Sequence, residues 1–216
     1  TLRMAFFVGG LATAAVIATA PEVLRVLFER GAWTADSTLR AASALLVFSL
    51  SIPFWAAHQL LSRSLYAQRR MWAPVLIGTA ATAIALPLYP WAVGASEGGA
   101  TLAIASTAGI TLSTLGLAIF WYRGHRDEVR PVIGTILRVA PAVGLAGIGG
   151  RLVATLVPGA GPGGSFAASL LAIAAAGLAV AVLFTIASRV LASRELATLA
   201  ARLPAPWDQR VGGRRP

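Results

Sequence analysis

Six long apolar runs dominate this chain, at residues 4–28, 41–62, 72–93, 100–122, 133–157 and 166–188. A helix needs about 20 successive apolar residues to traverse the ~30 Å hydrocarbon core of a bilayer. Each run reaches that length. None shows the period-two alternation of an outer-membrane barrel, so the peptide groups must find their partners inside helices. The runs predict an all-α fold, a polytopic integral membrane bundle of about six transmembrane helices. Only 12% of the 216 residues are charged, against about 25% in a soluble domain. So few polar groups cannot cover a soluble exterior, and lipid must be the outer solvent for much of the surface.

The gaps between the runs are short, and three of the five carry arginine. If the six runs alternate direction, one side of the membrane receives Arg3, Arg63, Arg69, Arg70, Arg123, Arg126, Arg130, Arg138, Arg189, Arg194, Arg202, Arg210, Arg214 and Arg215. The opposite side receives only Arg25, Arg30, Arg40 and Arg151, while the eight acidic residues divide evenly. Arginine bias sets orientation, so both termini are expected in the cytoplasm. A polar cytoplasmic tail without fixed structure is expected over 193–216. The net charge of +10 therefore has a topological origin. Nucleic acid is not an expected partner, because the arginines do not form an aromatic-interleaved patch on one folded surface.

Several polar or helix-breaking residues fall within or beside the runs. Pro21, Pro53, Pro87, Pro90 and Pro141 serve either as transporter hinges or as simple packing kinks. Thr107, Thr111 and Thr114 share one helical face and either line a polar cavity or bond across helix interfaces. His58 and Gln59 are the most polar pair inside a run. An ionisable group there marks a proton or substrate path by default, although a neutral histidine near the interface needs no such role. Glu22, Arg25 and Glu29 are spaced to pair along one face, and Asp36 or Ser37 is placed to cap the second helix. The glycines of the GIGG stretch at 147–150 let helices approach closely.

The stretch from Pro21 to Pro74 carries a more specific pattern. An apolar helix ends in Leu27-Phe28-Glu29-Arg30-Gly31-Ala32-Trp33-Thr34, an acidic residue follows, and the next helix has Ser49 to Pro53 at its centre. The exit reads Ser64-Leu65-Tyr66-Ala67-Gln68-Arg69-Arg70-Met71-Trp72-Ala73-Pro74. This quarter of the chain resembles the ninth and tenth spans, and the start of the eleventh, of MurJ/MviN-type lipid II flippases. Trp33, Leu65 and Arg70 depart from that family's usual residues.

The resemblance implies half of an alternating-access transporter of the multidrug/oligosaccharidyl-lipid/polysaccharide exporter superfamily, corresponding to about spans nine to fourteen. It implies a multi-pass protein of the bacterial cytoplasmic membrane. The implied partners are lipid-linked peptidoglycan precursor, membrane lipid and an N-terminal half of the same transporter. By the same resemblance, Glu29, Arg30, Gly31, Thr34, Pro53, Tyr66, Ala67 and Pro74 are structural or gating positions, and the last two runs form a groove for a lipid chain. A related exporter of polysaccharide-linked lipids or drugs, or a membrane scaffold without transport, fits the same hydropathy. The chain has no cysteine and two distant histidines, His58 and His125. Neither a metal constellation, a catalytic triad nor a nucleotide fingerprint can be placed, so no enzyme activity and no cofactor are expected.

Overall fold

The computed structural model describes residues 2–94, 98–123 and 129–191. The tail expected over 193–216 lies outside the described residues, as do parts of the third and fourth gaps. Eight helices are described: α1 (Leu2–Phe28), α2 (Ala35–Ser49), α3 (Ile52–Ala67), α4 (Trp72–Ala85), α5 (Leu88–Gly94), α6 (Gly98–Tyr122), α7 (Val129–Thr155) and α8 (Phe166–Leu191). There is no strand among the described residues. Five spans are long and apolar enough to cross a membrane: α1, the α4–α5 pair, α6, α7 and α8. A sixth arises if α2 and α3, bent by 43° at their junction, count as one.

Helix limits differ from the apolar runs where polar turns extend them. α2 begins at Ala35 rather than near residue 41, because Thr34 has extended backbone (φ −96°, ψ 168°) and its hydroxyl accepts from Ser37 N. The cap is therefore Thr34, not Asp36 or Ser37. Asp36 instead pairs with Arg40 on the exposed helix surface. Prolines act differently by position. Pro21 and Pro141 lie inside continuous helices, whereas Pro53 follows the α2–α3 bend and Pro87 sits in the break between α4 and α5.

The helices pack in two groups joined by α1. α7 and α8 pack on each other and on α1, while α6 packs on α2, α3, α4 and α5, and α1 also packs on α2 and α3. The α1–α7–α8 core is built on alanine: Ala14, Ala18, Ala142, Ala146, Ala172 and Ala176 are all buried. In lipid no hydrophobic effect drives helices together, so close backbone approach and van der Waals contact must do so. The GIGG stretch serves that approach. A Cβ on Gly150 would lie 2.7 Å from Ala18 Cβ and 2.5 Å from Val180 Cγ2, and one on Gly147 would lie 2.9 Å from Ile17. Phe7 and Phe184 add an edge-on ring contact at 5.1 Å.

The second group centres on Leu61, Leu65 and Leu117, and Trp121 Nε1 donates to Ser64 Oγ at 3.1 Å. Many large apolar residues face outward. Leu137, Leu145, Ile148 and Leu152 form a stripe on α7 and are 61–70% exposed. Such a stripe on a soluble protein would be an aggregation surface. On a membrane span it is the lipid-facing side.

Candidate functional site

Four of the motif residues build the corner between α1 and α2. The α1 helix ends at Phe28, and Gly31 turns the chain with φ +60°, a left-handed conformation that costs a Cβ-bearing residue energy. The turn delivers Thr34 to its capping position. Arg30 Nη2 donates to Val26 O at 3.0 Å, closing the end of α1. Glu29 is the hub. Its Oε1 accepts from Gly163 N at 2.7 Å, and its Oε2 accepts from the Thr38 hydroxyl at 3.0 Å. Arg25 Nε lies 3.5 Å from Glu29 Oε1 and also donates to Gly164 O at 3.0 Å.

Glu22 does not join this set. It points to α7, where Arg151 Nη1 donates to its Oε1 at 2.6 Å, and its side chain is only 3% exposed. Its Oε2 is buried with no hydrogen-bond partner among the described residues. The expected ladder of Glu22, Arg25 and Glu29 thus resolves into two pairs. Arg25–Glu29 binds the glycine-rich α7–α8 connection, and Glu22–Arg151 ties α1 to α7. Two acids and two bases balance, so these pairs bring no net charge into a setting where isolated charge is costly.

Pro53 lies in the middle of the bundle, at the α2–α3 bend. Tyr66, Ala67 and Pro74 lie at the other end, around the α3–α4 turn. Tyr66 and Ala67 are exposed at the end of α3, and Pro74 is buried in the first turn of α4. Arg69 has φ +59°. Its N–H bonds Tyr66 O and that of Arg70 bonds Leu65 O, both at 2.9 Å. These are the two bonds of a left-handed helix terminus usually built on glycine.

The residues expected at a polar cavity separate. A cavity of about 480 Å³ lies between α3, α4–α5 and α6, and its polar walls are His58, Thr82, Tyr89, Ser106 and Ser113. His58 Nε2 is 3.2 Å from Ser113 Oγ, and Tyr89 OH is 3.3 Å from Ser106 Oγ. Gln59 is exposed on α3 and Thr111 is half-buried; neither lines this cavity. Thr114 instead donates to Phe54 O at 3.1 Å, and Thr107 reaches Val47 O at 3.5 Å. The threonine face therefore grips the bent span, while the adjoining face, with Ser106 and Ser113 seven residues apart, opens to the cavity. That seven-residue spacing was the available signal for the cavity face.

A second feature is almost wholly apolar. Two adjoining hollows of about 250 and 220 Å³ share Phe6, Phe54 and Ile136 and run along α1 and α3, between α6 and α7. Among the described residues, only Thr13, Thr114 and Tyr122 bring a polar side-chain atom to their walls. α8 contributes no wall to either hollow, so of the two final spans only α7 borders this groove.

A protein-family model described as lipid II flippase MurJ matches residues 1–158, well over half of the chain. No curated protein and no solved structure matches it.

Proposed function

The chain belongs to the lipid II flippase MurJ family, and on that premise we propose that it moves lipid-linked peptidoglycan precursor from the inner to the outer leaflet of the cytoplasmic membrane. Such a lipid has a large polar head that hydrocarbon rejects, at several kcal/mol for each unsatisfied polar group. Its long apolar chain is equally at home in hydrocarbon and against apolar side chains. A protein that lets the head cross while the chain stays in an apolar channel solves the problem by alternating access, with no covalent step. The observation that supports this reading is the groove shared by Phe6, Phe54 and Ile136. It is the right chemistry for a hydrocarbon chain and has almost no group that would hold a head.

The head's own route is assigned to further spans of the same transporter, as the two-half architecture of the family implies. Orientation follows from arginine: the 68–71 turn and both termini are assigned to the cytoplasm, and the Glu29–Thr34 corner to the outer face.

The test fills the groove. In the transporter reconstituted into liposomes with fluorescent lipid II, Ile136→Trp is expected to slow translocation at least tenfold while leaving the protein folded and monodisperse. Translocation at the unaltered rate would remove the groove from the lipid's path. Equal transport of a lipid-linked polysaccharide would reassign the substrate.

A further inference from the structure

The bend between α2 and α3 leaves backbone carbonyls that a straight helix would have satisfied. Proline has no N–H, so Pro53 cannot donate to the carbonyl four residues before it. That carbonyl is Ser49 O, inside the membrane span and away from water. Neighbouring bonds also shift, since Leu50 N bonds Val47 O at 3.2 Å and Ser51 N bonds Phe48 O at 3.0 Å. The Ser49 hydroxyl donates to Leu46 O at 2.7 Å. The Ser51 hydroxyl covers Phe48 O at 2.6 Å. These repairs are local, made by side chains of the bend itself.

Ser49 O is repaired from outside. The Thr13 hydroxyl of α1 donates to it at 2.9 Å, with Thr13 2% and Ser49 1% exposed. The same hydroxyl lies 3.0 Å from Gly9 O, one turn back in its own helix. One hydroxyl hydrogen serves two acceptors. Gly9 makes the approach feasible, because a Cβ there would come within 2.7 Å of Pro53 Cα. Thr13, Leu50 and Pro53 are also walls of the apolar groove.

We propose that Thr13 is a positioning residue, a latch whose hydrogen bond to Ser49 O sets the α2–α3 bend and with it the width of the groove. When α1 and the bend separate, the hydroxyl retains Gly9 O, so the latch opens without orphaning its donor and closes again without a desolvation barrier on the α1 side. The bend itself is what the latch sets. Its importance for transport rests on the lipid-chain reading above.

Residues 1–216 contain no cysteine, and in the full transporter, with any cysteine elsewhere replaced, spin labels are placed on Leu39→Cys of α2 and Arg63→Cys of α3, both exposed. Thr13→Val keeps the side-chain shape and removes the donor. It is expected to lengthen and broaden the label-to-label distance, by about 2.5 Å if the 43° bend straightens fully at 1.5 Å rise per residue. Lipid II translocation is expected to slow roughly fivefold, the effect of one lost hydrogen bond. Thr13→Ser, which restores the hydroxyl, should return both readouts toward the parent values. A distance distribution in Thr13→Val that superimposes on the parent's rejects the latch, whatever the transport rate. A changed distribution with undiminished translocation upholds the latch and instead removes the groove from the transport path.

Discussion

Gly31 and Glu29 show how much a single position can carry at the corner between α1 and α2. With φ +60° and no atom within 4 Å of the place a Cβ would occupy, Gly31 has space for a side chain but not the backbone preference. Gly31→Ala is therefore expected to destabilise the protein by about 1 kcal/mol through conformation alone. Gly31→Asn should cost less, since asparagine tolerates this region, and thermal unfolding in detergent would rank the two. An equal loss for both would mean that the turn is not held left-handed. The end of α1 was legible in the sequence, while the cap was misplaced by two or three residues, expected at Asp36 or Ser37 and found at Thr34. The helix end, the turn glycine and the capping hydroxyl follow each other within a few residues, so short-range rules placed the corner without picking the right hydroxyl. The corner's partners were not legible. Arg151 lies 129 residues from Glu22, and Gly163 lies 134 from Glu29, and no spacing rule reaches so far.

Packing between elements depends on small residues at contact points, and α7 is the clearest case. Gly150 sits where a side chain would meet Ala18 of α1 and Val180 of α8 together. Gly150→Leu should force these helices apart and cost about 1–3 kcal/mol, the range for overpacking a close-packed site. Gly134 and Gly144 of the same helix have open space around them, so Gly144→Leu should be close to neutral. If the two variants unfold together with the parent, the close approach of α7 is not what stabilises this core. The apolar runs showed that such helices exist, since a bilayer demands them. Hydropathy does not show which small residues face a neighbour, because lipid-facing and core-facing residues are both apolar. For the same reason the threonine face of α6 was readable as a face, but whether it met a cavity or another helix was open until the Phe54 and Val47 carbonyls appeared opposite it.

At the scale of the whole molecule, orientation rests on arginine distribution. Single cysteines at Thr34→Cys and Arg69→Cys should label from opposite sides of the membrane, with Thr34→Cys open to an impermeant reagent from outside. Labelling of both from one side would undo the topology and the assignment of inner and outer ends. A second consequence follows from α1, which touches the α2–α6 group on one flank and the α7–α8 pair on the other. The final pair is moored chiefly to the first helix, not to the one that precedes it in the chain. Severing the connection between Arg123 and Val129 should therefore be survivable. The transporter translated as two pieces, one ending at Arg123 and the other beginning at Val129, is expected to reassemble in the bilayer and co-purify, with α1 as the shared spine, much as two covers hold to one binding after the thread between pages is cut.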